Sequence, residues 1–151
     1  MKHTARIGPL SLALLLALSL CASGETRTIT IPFPRGGSAA VGLTSGPMHI
    51  QSVVIKGQPV TRDYQWARHD KGDTTLVRWV FHVANSGRRD WHARIRVRVY
   101  SAGERLLASN DREGEVDARD GHDQITVWTR IHTLDYPRAD HVRIEAVSHP
   151  D

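Results

Sequence analysis

Apolar and polar residues alternate through most of this 151-residue sequence. The run TLVRWVFHVA (75–84) places Trp79 and Phe81 on one side of an extended chain, and the runs 91–100 and 123–132 repeat the pattern. A period of two belongs to a β-strand with one face in a core and the other in water. Apolar residues nowhere recur at helical spacing over a dozen positions, so the alternation predicts an all-β protein.

Turn-forming residues separate these runs, as in Asn85-Ser86-Gly87 and in Ser101-Ala102-Gly103-Glu104. Short strands divided by such turns at intervals of about ten residues are typical of a β-sandwich or barrel. We therefore predict about seven to nine antiparallel strands in two packed sheets. The residues predicted to face the core are Trp79, Phe81, Trp91, Ile95, Val97, Val99, Ile125, Val127, Ile131 and Ile144.

The first 24 residues have the pattern of a secretory signal: a basic start, the apolar run PLSLALLLALSL, and small residues before Glu25. The apolar run is about a dozen residues long, whereas a membrane-spanning helix needs roughly 20. Release before Glu25 would give a soluble exported protein.

A second cleavage site is also possible, because Leu18-Ser19-Leu20-Cys21 resembles the lipobox of bacterial lipoproteins. Cleavage there would make Cys21 a lipidated first residue. Leu20 departs from the lipobox pattern, which has a small residue at that position. Membrane contact is expected only with a lipidated Cys21 or a retained signal.

The rest of the chain divides into two predicted parts. Residues 25–47 hold a β-branched strand (26–31) followed by a Gly- and Pro-rich segment (32–47), which predicts a loop or an irregular edge. Residues 48–151 are predicted to form the sandwich domain, and 60–67 is a further strand-like run within it.

Cysteine content and charge exclude several functions. Cys21 is the only cysteine, so the predicted mature domain has no internal disulfide, no Cys-ligated metal and no thiol nucleophile. Removal of Lys2 and Arg6 with the signal leaves 18 basic residues against 16 acidic ones. This small excess gives no support to a nucleic-acid partner.

Basic or potentially basic side chains occupy every second position from His92 to Arg98, and we call Arg94, Arg96 and Arg98 the arginine row. They would lie in a line on one face of a strand. If neighbouring strands add their own basic residues and an exposed tryptophan, the face could bind an anionic glycan, lipid or phosphate through guanidinium forks. The predicted anion-binding face comprises Arg78, Arg94, Arg96, Arg98, Trp128 and Arg130, with His82 and His132 beside it.

The other interpretation of the row is that nearby acids neutralise it. Residues 111–123 hold six acids against two arginines, and residues 76–100 hold six arginines against Asp90. Pairing between adjacent strands would nearly cancel these opposite charges. We favour this interpretation, in which the row is the solvated outer face of a sheet.

Histidines and acids outside the row show no spacing that predicts catalysis or metal binding. His69-Asp70, His122-Asp123 and Asp140-His141 lie in or beside polar turns, and none has a ligand spacing such as HExxH. The chain also contains no GxSxG elbow and no recognisable acid–base pair. We predict no catalytic residues, no metal ligands and no cofactor, and a metal-dependent hydrolase is only the third alternative.

Residues 75–148 resemble bacterial extracytoplasmic immunoglobulin-like domains of the FxLYD type. In that family a strand ends in Asn and a turn, and an alternating strand then ends in Tyr before a Gly turn. The matching positions are Val83, Asn85, Gly87, Val97, Val99, Tyr100 and Gly103, while Ser101 stands where the family often has Asp. The resemblance implies an immunoglobulin-like sandwich without catalytic residues, in the periplasm or secreted. It further implies an accessory or binding module whose partner is another envelope protein or a surface component.

Overall fold

The computed structural model describes residues 25–35, 37–59 and 74–151, and most of them lie in strands. The eight strands are β1 (Glu25–Pro32), β2 (Ser38–Ser45), β3 (Met48–Pro59), β4 (Thr74–Asn85), β5 (Trp91–Ser101), β6 (Leu106–Val116), β7 (Asp123–His132) and β8 (Ala139–Pro150). One turn of 3₁₀ helix, Tyr136–Arg138, precedes β8. No helix in these ranges is long and apolar enough to span a membrane. The predicted signal with Cys21, and the strand-like run 60–67, lie outside the described residues.

The strands form two antiparallel sheets, which confirms the predicted β-sandwich. Sheet I has the order β1-β8-β5-β6, and sheet II has the order β2-β3-β4-β7. The chain crosses between the sheets after β1, β4, β6 and β7. As a result β4 pairs with β7 in sheet II, while β5 pairs with β8 in sheet I. Strands B and E in one sheet and C and F in the other have this arrangement in immunoglobulin domains. The structure thus confirms the β-sandwich, and the immunoglobulin-like subtype stays a prediction.

The segment 25–47 contributes strand β1 to sheet I and strand β2 to sheet II. β1 pairs with β8 along its whole length, and β2 pairs with β3. Within the segment 32–47, for which we predicted a loop or an irregular edge, residues 38–45 form β2, an edge strand of sheet II. Gly42 has φ 64°, and the register shifts between Ala40 and Leu43, so this glycine forms a bulge inside the strand rather than ending it.

The core forms where the inner faces of the two sheets meet, and nine of the ten predicted core residues are buried there. Trp91 is the exception, because it begins β5 at the end of the sandwich and is only partly buried. Trp79 is fully buried, and its indole Nε1 donates a 2.8 Å hydrogen bond to Thr129 Oγ1. The one polar atom of this large side chain is therefore satisfied inside the core.

Asn85 holds together the turn that follows β4. Its buried amide Nδ2 donates to the carbonyl oxygens of Arg89 and Val116, each at 3.0 Å. Its Oδ1 accepts a 2.8 Å hydrogen bond from the backbone N–H of Gly87. The asparagine of the FxLYD-like pattern thus has a structural role here, since it joins β4 and the turn to the end of β6.

Candidate functional site

The structure divides the predicted anion-binding face between the two sheets. β5 lies between β8 and β6, so the arginine row projects from the outer face of sheet I. Arg78 is on β4, and Trp128 and Arg130 are on β7, all on the outer face of sheet II. The crossover after β4 causes this separation, because it places consecutive strands on opposite sides of the core. The six residues therefore do not form one surface, and His82 and His132 also belong to sheet II.

Each arginine of the row faces a carboxylate on an adjacent strand. Arg94 donates to Glu113 Oε2 through both Nε (3.1 Å) and Nη2 (2.9 Å). Glu145 on β8 accepts from Arg96 at 3.1 Å and from Arg98 at 3.3 Å. The cross-strand register explains these pairs, because Arg94 lies opposite Glu113 and Arg96 lies opposite Glu145.

A third carboxylate, that of Asp111 on β6, lies 3.8 Å from Arg94 and 4.0 Å from Arg96. Three arginines thus face three carboxylates, which supports the charge-neutralised interpretation of the row. The pairs are partly exposed, so each contributes less than about 1 kcal/mol to stability. Their main effect is to occupy guanidinium donors that an anionic ligand would need.

Sequence reasoning missed Glu145, because it looked for the neutralising acids only in residues 111–123. The signal was nevertheless present in the alternation of β8. Val142, Ile144 and Ala146 are buried, so Glu145 must face outward. What the alternation could not show is that β8 lies beside β5.

A groove separates the terminal strands of the two sheets, β6 and β7. It has a volume of about 690 Å³ and is lined by residues 110–114 of β6 and by Gln124, Ile125, Thr126 and Trp128 of β7. Asn110 Nδ2 bridges the strands by donating to the carbonyl oxygen of Trp128 at 2.5 Å. At Gly114 a Cβ atom would lie 2.9 Å from Ile125 Cγ1, so the glycine allows the two strands to approach. We call this feature the β6–β7 groove.

Trp128 lies at the rim of the β6–β7 groove and is 41% exposed. The guanidinium carbon of Arg78 lies 5.6 Å from the centre of its ring, at cation–π distance. The groove itself carries both signs of charge, from Asp111, Arg112 and Glu113. Its chemistry is therefore amphipathic and has no strong preference for anions or cations.

The remaining predicted histidine pairs lie on the surface, except His69-Asp70, which falls outside the described residues. The ring of His141 stacks on Tyr100 with centroids 5.3 Å apart. Its Nδ1 lies 3.0 Å from Asp140 and its Nε2 lies 3.2 Å from Glu104. His122 is exposed, and its backbone N–H donates to Asp120 Oδ1. Both pairs lie at the beginning of a strand, β7 or β8.

Among known proteins, no family model matches this chain, and a search of curated proteins finds no match.

Proposed function

We propose that this protein is a non-catalytic module of the cell envelope that acts by contacting another protein or a surface component. The observation that carries the proposal is the β6–β7 groove with exposed Trp128 at its rim. Tryptophan and arginine are the residue types most enriched at the energetic centres of protein interfaces, and here Arg78 lies against Trp128. An aromatic anchor beside an open groove favours a macromolecular contact.

The backbone of the groove supports an extended partner segment. β6 and β7 are the last strands of their sheets in the described part of the chain, so each has one edge without a neighbouring strand in its own sheet. Such an edge offers N–H and C=O groups that an added strand can use, while nearby pockets select its side chains. The mixed charges of the groove also favour a peptide over a polyanion. The alternative of an anion-binding arginine face is weaker, because carboxylates already face the row.

The proposed location is the periplasm or the outside of the cell, with a lipid anchor at Cys21 as the alternative. It is supported by the signal pattern of residues 1–24 and by the resemblance to FxLYD-type domains. The intact mass of the protein from its native host distinguishes the outcomes, since it should correspond to a chain beginning at Glu25 or at a lipidated Cys21. A chain that retains residues 1–20 would contradict export.

Site-specific photo-crosslinking in the native host tests the contact. A photoreactive residue at Gln124 would sit in the β6–β7 groove, while the same residue at Thr28 would sit on β1, at the opposite edge of sheet I. We expect one discrete adduct from position 124 that disappears when Trp128→Ala is added, and no such adduct from position 28. Equal adducts at both positions, or none at position 124, would contradict the proposed contact surface.

A further inference from the structure

The two sheets differ in the charge that their strands carry. The strands of sheet I contain six acidic and six basic residues. The strands of sheet II contain three basic residues, Lys56, Arg78 and Arg130, and one acidic residue, Asp123. Residues 60–73, which follow β3 in the sequence, hold three acids and three bases and so add no net charge. Sheet I is therefore balanced in charge, whereas sheet II is basic.

Two of the basic residues of sheet II lie directly opposite each other on neighbouring strands. Lys56 on β3 is the register partner of Arg78 on β4, and Arg78 is also the register partner of Trp128 on β7. All three side chains are exposed on the outer face, since the residue that precedes each of them is buried in the core. Opposite residues of an antiparallel pair have Cβ atoms about 4.5 to 5.5 Å apart. Two cations and an indole thus cross sheet II in one short line, which we call the Lys–Arg–Trp line.

No carboxylate in residues 25–35, 37–59 and 74–151 forms an ion pair with Lys56 or Arg78. The guanidinium of Arg78 instead lies against the ring of Trp128. Like charges at directly opposite positions destabilise a sheet. An anionic group held between the two cations would relieve this repulsion and would accept charge-assisted hydrogen bonds from both. The arginine row differs, because each of its guanidiniums already faces a carboxylate.

We propose that the Lys–Arg–Trp line binds carboxylate side chains of the partner protein, so that the contacted segment of the partner is acidic. The inference rests on the proposed function, because Trp128 belongs both to the line and to the rim of the β6–β7 groove. Adjacent strands lie about 4.8 Å apart, so a segment that leaves the groove past Trp128 reaches Arg78 after about 5 Å and Lys56 after about 10 Å. An apolar side chain of the same segment can pack on the exposed indole.

The surroundings of the line favour an acidic peptide over a lipid or glycan polyanion. Val54 and Val80 face each other on the outer face beside Lys56 and Arg78, and both are half-buried. They offer apolar contact next to the charges, which suits the mixed side chains of a peptide. Two cations also support only a small number of the phosphate contacts on which polyanion affinity depends. On the other side of the groove, the acids of β6 oppose an extended run of negative charge.

Binding of a synthetic peptide to the full protein tests the charge preference. The probe is a short peptide in which Glu alternates with Ser around one central Leu, and its control has Gln in place of Glu. We expect the Glu peptide to bind about five- to tenfold more tightly than the Gln peptide, because two ion pairs at a partly exposed site supply that much. The double variant Lys56→Gln/Arg78→Gln should lose this preference.

A matched control variant, Arg88→Gln/Arg89→Gln, makes the same change in net charge in the exposed turn between β4 and β5. It should keep the preference for the Glu peptide, and an equal loss in this control would overturn the inference. The double variant at the line should fold, because it removes a pair of like charges, and its melting temperature should not fall below that of the wild type. A clear fall would show that the two cations are stabilised within the chain, which would also overturn the inference.

Photo-crosslinking from position 124 in the double variant separates this inference from the proposed contact surface. We expect the yield of the adduct to fall several-fold. An unchanged yield, with equal binding of the two peptides, would overturn the inference and leave the contact surface standing. No adduct in the wild type would contradict the contact surface itself. If vesicles of phosphatidylglycerol bind the wild type but not the double variant, and the Glu peptide has no advantage, the line binds lipid phosphate and the inference is overturned.

Discussion

Removing three carboxylates should convert the charge-balanced outer face of sheet I into a surface that binds polyanions. The carboxylates are those that face the arginine row: Asp111, Glu113 and Glu145. Replacing them with Asn, Gln and Gln keeps the side-chain shapes and changes the sum of these six charges from zero to three positive. The row would then present donors that no local acid occupies.

The cost in stability should be small. Alternate residues of a strand lie about 7 Å apart, and two unit charges at that distance repel by about 0.6 kcal/mol in water and about 2.4 kcal/mol at an effective dielectric constant of 20. The side chains of Arg96 and Arg98 are 35% and 28% exposed, so solvent screens much of this repulsion. We expect the free energy of unfolding to fall by about 1 kcal/mol. The variant should therefore fold and can be assayed.

The gain in binding can be estimated from the salt dependence of polyanion contacts. Each guanidinium that neutralises an anionic group of the polyanion releases counterions from it, so three such contacts give a slope of about −2 to −2.7 when the logarithm of the affinity is plotted against the logarithm of the salt concentration. The affinity should therefore fall about 20- to 40-fold between 50 and 200 mM salt. Elution from a heparin column measures this effect.

A second triple variant with the same change in net charge provides the control, with its substitutions at strand ends: Glu25→Gln, Asp117→Asn and Asp140→Asn. The row variant should elute at clearly higher salt than this control, and the wild type should elute at low salt. Firm wild-type retention above physiological salt would show that the row is not neutralised. Identical elution of the two variants would show that only net charge matters.

Three further predictions concern stability and are checked by urea denaturation. Trp79→Ala should lower the free energy of unfolding by about 3 to 5 kcal/mol, whereas Trp128→Ala should lower it by less than about 1 kcal/mol. Equal effects would mean that Trp79 does not face the core or that Trp128 does not face solvent. Asn85→Ala should cost about 2 to 3 kcal/mol, because it removes three hydrogen bonds of a buried side chain, and a neutral result would contradict its bridging role. Gly114→Ala should cost about 1 to 3 kcal/mol through its clash with the side chain of Ile125. Adding Ile125→Ala should then be less than additive, and strict additivity would exclude the clash.

Much of the fold could be predicted from the sequence, because the direction in which a strand residue points is a local property. Successive side chains of a strand alternate between its faces, so Trp79, Val97 and Ile144 could be assigned to the core without knowing what they pack against. Local turn chemistry also marked the ends of β4 and β5. For the segment 32–47 the choice between a loop and an irregular edge stayed open, because a glycine that forms a bulge has the same appearance in sequence as a glycine that ends a strand. Residues 38–45 form the irregular edge strand β2.

Only the tertiary structure decided which strands are neighbours, and the candidate sites depend on that choice. The arginine row is neutralised in part by Glu145, which lies 49 positions beyond Arg96. The row and the three carboxylates that face it come from β5, β6 and β8, so no sequence spacing could indicate the set. Strand order in a sandwich follows from the crossovers that bury all the apolar faces together. That is a property of the whole chain, and no local window of residues contains it.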